Sequence, residues 1–259
     1  MRLRWRRAGL AAALLLALWP FLRIGAAMPA FGESRAVLGL AINALSPSAR
    51  HIANAVSAVN FDFRGFDTLG EEFMLMCAAT GAVVLLRGSR GERDDDKAGR
   101  IPGRASAPPS EAVTLVSRLF APLVLMFGVY LTVHATDTPG GGFQAGVIIA
   151  AGFLLLYFGD GYRTWRRMLP SPVFDALEGG GAVLFAACGL VPLLSGGAYL
   201  QNTLPLGKLK EMFSGGLVWI ENAGVTLAVL GAFTLIFAEF MEETRAVKSV
   251  DDECEEQEG

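Results

Sequence analysis

Charge is scarce in this chain. Asp, Glu, Lys and Arg make up 18% of its 259 residues, against 53% hydrophobic residues, whereas an ordinary soluble domain carries about 25% charged residues. Cysteine is also scarce: Cys77, Cys188 and Cys254 stand far apart and form neither a CxxC pair nor a Cys/His cluster. A disulfide framework and a thiolate metal site are therefore not expected. There are 2 histidines, His51 and His134. No nucleophile and base arrangement is visible, and the glycine run lacks the Lys and the spacing of a phosphate loop. A self-contained enzyme and a bound cofactor are not expected. The net charge of -3 hides an asymmetry, since basic residues gather in short segments and the final DDECEEQEG is acidic. That pattern bears on membrane topology rather than on nucleic acid.

Long apolar runs are what the chain has. A helix crossing a bilayer needs about 20 mostly apolar residues at about 1.5 Å each. Six segments qualify: Ala8–Met28, Leu69–Leu86, Ala112–Val133, Phe143–Phe158, Val173–Leu194 and Leu217–Phe240. An all-α, polytopic membrane protein follows, sited in the cell inner membrane. The first run has a second reading as a signal peptide, because MRLRWRR is a basic leader, Ala8–Trp19 an apolar core and IGAAMPA a small-residue stretch.

Lys and Arg place the loops. With both termini cytoplasmic, the inner side receives the arginines of residues 2–7, the basic residues of 87–104, Arg163, Arg166, Arg167, Arg245 and Lys248. The outer side keeps Arg35, Arg50, Arg64, Lys208 and Lys210. Residues 88–110, rich in charge, Gly, Pro and Ser, read as a flexible cytoplasmic linker. It divides a two-span segment, 1–87, from a four-span domain, 111–242, followed by an acidic tail, 243–259. Ile52, Val56 and Val59 share one helical face, so Ala49–Val59 is expected to lie along a membrane surface or a neighbouring helix.

Between the third and fourth runs lies HATDTPGGGFQ, His134–Gln144. Pro139 fixes φ and lacks a donor, while Gly140, Gly141 and Gly142 accept positive φ, so the third helix ends here. A tight hairpin is one reading. The other is a helix break sunk below the membrane surface, because Phe143–Phe158 is short for a span. Irregular backbone at that depth is tolerated only where protein or a watery cavity covers it, and its carbonyls and amides then suit an ion path.

HATDTPGGGFQAGVIIAAGFLLLY resembles the signature of the MnhB/MrpB family, the B-type components of Mrp-type multisubunit Na+/H+ antiporters. His134, Pro139, Gly140, Gly141, Gly142, Phe143 and Gly146 carry the resemblance, together with IENAGVTLAVLGAF, where Glu221 stands three residues before Gly224. The stretch VNFDFRGFDTLGEEFMLMCAATGAVVLL is similar to the C-terminal segment of the large A-type component of the same antiporters, equivalent to the small E-type component of membrane-bound hydrogenases. The two resemblances imply a fused subunit, other antiporter subunits and the lipid bilayer as partners, and Na+ and H+ as transported ions.

Ionisable residues within spans are costly, by at least about 2.5 kcal/mol on insertion scales, and are functional candidates. Arg118, Asp175, Glu178 and Glu239 lie toward the cytoplasmic helix ends, where snorkelling satisfies them. Glu71, Glu221 and His134 are candidates for the ion path beside the glycines. Asp62, Arg64, Asp67 and Glu72 are expected to form a structural charge cluster in which Arg64 pairs with an acid. The rival readings are a component of a redox-driven, complex I-like or hydrogenase-type assembly, and a structural adaptor that carries no ion.

Overall fold

The structure, a computed structural model, describes residues 2–28, 36–89, 110–168 and 170–258. Its residues group into two compact units, Met1–Ala41 and Ile42–Gly259. In the first, helix α1 (Arg2–Ala27) contains the span Gly9–Ala27, whose side chains are exposed along its length. Helix α2 (Val37–Ala49) runs across the boundary between the units.

The second unit holds five further spans: Gly65–Leu86 in α4 (Gly65–Ser89), Glu111–Val133 in α5 (Glu111–Val133), Gly142–Gly161 in α6 (Gly142–Met168), Ser171–Leu194 in α7 (Ser171–Leu194) and Leu217–Met241 in α8 (Leu217–Glu258). All six are long and apolar enough to cross a membrane, and the described residues contain no strand. The chain is an all-α, multi-pass membrane protein. Short connections make α5, α6, α7 and α8 antiparallel neighbours, so α4, α6 and α8 begin at the end of the bundle where α5 and α7 finish. That end carries the glycine loop and is called here the turn end.

Helix α8 is the centre. Two-thirds of its span, 67%, is buried within the protein, against 17% for α4 and for α5. Its neighbours α4, α6 and α7 pack directly on it, while α5 packs chiefly on α6. Close approach depends on missing side chains. A Cβ at Gly142 would lie 2.6 Å from the Asn222 carbonyl oxygen, one at Gly146 2.7 Å from Val229 Cβ, and one at Gly181 2.4 Å from both the Ala228 nitrogen and the Gly224 oxygen. Two apolar clusters fill the bundle. Phe61, Phe185, Val218, Val225 and Val229 pack at the turn end with Ile52 and Leu200. At the opposite end Trp165, Phe174, Leu230, Leu235 and Ala238 pack together.

Three expectations change. Residues 49–59 do not form one helix. The chain leaves α2 at Ala49, turns through His51 at φ 56°, and resumes in the short α3 (Ala55–Ser57) and a π-helical turn, Ala58–Phe63. Ser46 drives the break by donating its hydroxyl to the Ile52 carbonyl at 2.7 Å, and Ile52 is buried while Val56 is exposed. The fourth span is 20 residues long, closing at a kink where Gly161 takes φ 76°, so shortness no longer argues for a sunken loop. Compactness divides at Ala41, not at the linker, because α4 packs on α8. Residues 90–109 of that linker lie outside the described residues, and the tail from 243 continues the backbone of α8 to Glu258.

Candidate functional site

The glycine loop is stitched to the protein on several sides. His134 caps α5, its N–H donating to the Tyr130 carbonyl at 3.0 Å and its ring stacking on Tyr130 at 4.3 Å between centroids. The N–H groups of Asp137 and Thr138 both turn back to the His134 carbonyl. Pro139 is exposed, and Gly140 and Gly141 then take φ 150° and 159°, a region that glycine alone adopts cheaply. Gly142 opens α6 with Phe143 half-buried behind it.

Irregular backbone leaves carbonyls without helical donors, and Asn54 supplies them. Its side-chain amide lies 2.8 Å from the Ala135 oxygen, 2.9 Å from Thr138 and 3.1 Å from Gly140. The N–H groups of Ala53 and Asn54 both donate to the Thr136 carbonyl at 3.0 Å, and the Ser57 hydroxyl donates to Ala135 at 2.6 Å. From α8, Trp219 donates to the Val133 carbonyl and Asn222 to the Thr132 carbonyl. The segment before α4 thus closes the loop between α5 and α6. Asn54 was not singled out from the sequence, since nothing local marks an asparagine whose acceptors lie 81 to 86 residues away.

The acids separate differently from expectation. Asp62, Arg64, Asp67 and Glu72 form no single cluster. Arg64 pairs with Asp67 on the surface. Asp62, whose side chain is 1% exposed, takes Arg50 instead, with Arg50 Nε 2.8 Å from its Oδ2. Glu72 is buried at 2% exposure with neither carboxylate oxygen hydrogen-bonded, while Glu71 next to it is exposed. Glu221 is fully buried and both its oxygens also lack a hydrogen-bond partner.

Toward the opposite end, Asp175 and Arg118 are exposed, and Arg118 Nε donates to Asp160 at 2.8 Å. Glu178 and Glu239 do not snorkel. Both are buried, at 8% and 3% exposure, because one sits where α7 crosses Gly231 and the other is on the central helix. Burial of the Glu178 backbone is tight enough that a Cβ at Gly231 would lie 2.5 Å from its nitrogen.

Asp62 and Glu221 are close enough to repel one another, and the Glu221 carboxylate also acts by charge on Cys188 and Tyr199. Burial pushes the Asp62 carboxyl up from the usual carboxylate range, partly offset by the Arg50 charge and a hydrogen bond from Asn202. Tyr199 in the α7–α8 connection is pushed up by burial first and then by the Glu221 and Cys188 charges.

An α-helical membrane protein with a broken, protein-covered connection and unpaired acids inside its bundle is the class that this geometry defines. The family follows from comparison. Residues 112–235, which cover α5, α6, α7 and most of the α8 span, are a domain of the family described as related to the MnhB subunit of Na+/H+ antiporters.

The chain is 27% identical over 201 residues to an uncharacterized protein of Methanocaldococcus jannaschii, covering 71% of this chain and 75% of that one. It is 33% identical over 125 residues to a probable fused A/B component of a K(+)/H(+) antiporter of Rhizobium meliloti, covering 42% of this chain but only 12% of that much longer one. Identity to the B-type component of the Na(+)/H(+) antiporter of Bacillus subtilis is 29% over 129 residues, 49% of this chain and 90% of that one. Among solved structures, a chain of the membrane-bound sulfane sulfur reductase, an archaeal respiratory membrane complex, superposes with a TM-score of 0.68 at 28% identity, covering 90% of this chain and 97% of that one. A chain of the Mrp complex from Dietzia sp. DQ12-45-1b shares the fold with a TM-score of 0.65 at 23% identity, over 90% of this chain and 25% of that one.

Proposed function

We propose that this chain is a membrane subunit of an Mrp-type antiporter that exchanges outward-moving sodium for inward-moving protons, in complex with further membrane subunits. The observation that carries the reading is the coincidence of the MnhB-related domain, residues 112–235, with the four helices that carry the glycine loop. In this reading residues 1–87 are a fused segment of the A type and 111–242 the B-type domain, with the chain's ends and residues 88–110 in the cytoplasm. The fusion has a physical use, since Asn54 of the first segment holds the loop carbonyls of the second.

The glycine loop, His134, Glu72 and Glu221 are the groups through which such a subunit would line or border an ion path. Glu71 is less suited, because its carboxylate is exposed. A carboxylate in an apolar setting binds either a proton or a cation, which is the chemistry that exchange requires.

The test is co-purification of the assembly, followed by measurement of sodium-dependent proton movement in everted vesicles. The chain alone is expected to give no flux, and robust flux from it alone would overturn the subunit reading. A cysteine placed at Ala98 should react only from the cytoplasmic side. A second reading, membership of a redox-driven membrane complex, is favoured by the 97% coverage of the sulfane sulfur reductase chain. Co-purifying iron-sulfur proteins would select it, whereas antiporter-like partners without them select the first.

A further inference from the structure

Two buried acids at the turn end face each other from different elements: Asp62 on the π-helical turn before α4 and Glu221 in the second turn of α8. Their surroundings are apolar, with Phe61 against Phe185 at 6.1 Å and Val218 and Val225 one turn either side of Glu221 on α8. Asp62 has a resident cation. Arg50 reaches it from the surface, its side chain 40% exposed and its guanidinium 6.0 Å from the centre of the Phe63 ring. Glu221 has no comparable partner among the described residues: it is 0% exposed and neither oxygen is hydrogen-bonded. The positive end of α8 offers it little, because that field decays within the first turn.

The titratable and charged groups that act on this pair come from each packed element: Arg50 from the segment before α3, Cys188 from α7, and Tyr199 from the α7–α8 connection. Asn202 ties the pair to the start of α8, since its side chain hydrogen-bonds Asp62, donates to the Gly215 carbonyl at 2.8 Å and accepts from the Leu217 N–H at 3.0 Å. One negative charge of the pair is matched by Arg50 and the other is not. An unmatched buried carboxylate is costly, and a proton or a small cation removes the cost.

We propose that Asp62 and Glu221 form an ion-exchange site that holds one proton or one monovalent cation in turn, with Arg50 as its fixed counter-charge. Loading a cation releases the carboxyl proton and leaves the site's charge unchanged, so the step balances without another reactant. The proposal rests on the antiporter reading for its use, but its test is read on the carboxyl itself.

The assembled complex is treated with dicyclohexylcarbodiimide, which attaches to protonated carboxyls in apolar surroundings, and Glu221 is followed by peptide mass spectrometry. Labelling is expected to fall on the order of tenfold between about pH 6 and about pH 9. Sodium or potassium chloride should protect Glu221 where choline chloride does not. Asp62→Asn removes the neighbouring negative charge, so the midpoint of labelling should move to lower pH by on the order of one unit, a tenfold change in proton affinity. Arg50→Gln, at a half-exposed position less prone to misfolding, should move it the other way. Glu221 that never labels, or whose labelling ignores pH, cations and both variants, overturns the site. Cation-sensitive labelling in a complex that exchanges no ions keeps the site and overturns the antiporter reading. Exchange with an inert Glu221 does the reverse.

Discussion

The two ends of the bundle handle polarity differently. At the opposite end, helices run through and meet at close range: Trp165 packs edge-on to Tyr157 at 6.2 Å between centroids, Phe153 to Phe174 at 5.9 Å, and Gly231 admits the α7 backbone. At the turn end the helices break, and Asn54, Ser57, Asn202 and Asn222 serve carbonyls and amides that no helix satisfies. Acids are buried at both ends, but they do not stand alike. Glu221 faces a second acid across an element boundary, while Glu178 lies along an α7 face whose nearest charge is Asp175, one turn away on the same helix. The difference teaches that irregular backbone inside a membrane brings polar side chains with it, and that a paired acid site becomes tolerable where they gather.

Gly142→Leu should break the comparison most severely. Its side chain has to enter a space where even a Cβ would lie 2.6 Å from the Asn222 oxygen and 2.7 Å from Val225. Overpacking of this kind costs about 1–3 kcal/mol or more, and at a helix crossing the expected result is loss of this chain from the purified complex. Asn54→Ala comes next. It leaves carbonyls of Ala135, Thr138 and Gly140 without their donor, at about 1–3 kcal/mol for a buried unsatisfied group, and should lower the thermal midpoint of the complex while leaving the opposite end intact.

Gly141→Val sharpens the question of what the loop is for. At φ 159° a β-branched residue is strained by about 1–3 kcal/mol, and Gly141→Ala should be milder. Loss of exchange with assembly intact indicates a backbone role in the ion path; loss of both indicates packing; normal exchange returns the loop to an ordinary hairpin. A pair of neutral substitutions then compares the ends directly. Glu221→Gln should abolish cation-dependent proton flux in assembled complexes, and Glu178→Gln should reduce it less. Equal tolerance of both would favour the structural adaptor. The smallest effect is expected from Arg64→Ala, which breaks a surface pair with Asp67. Such pairs are worth about 0–1 kcal/mol, so denaturation and flux should both stay near wild type.

The six spans were legible in the sequence because apolar length is a local property, and the observed limits extend the read ones by only a few residues, as at Gly65 and Gly161. Pro139 and the glycines announced a helix end for the same reason: allowed φ belongs to the residue itself. The charges were not legible. Glu71 and Glu72 are adjacent, and successive residues on a helix point about 100° apart, so only the packing of α4 on α8 decides that Glu72 is inside and Glu71 outside. Arg50 and Arg64 were equally plausible partners for Asp62 until the turn at His51 brought Arg50 round to it. Local chemistry thus determined where this chain can cross a membrane and where it must bend. Which acids are buried, which cation meets them and what closes the glycine loop were left to tertiary structure, because burial and pairing join residues that the sequence holds far apart.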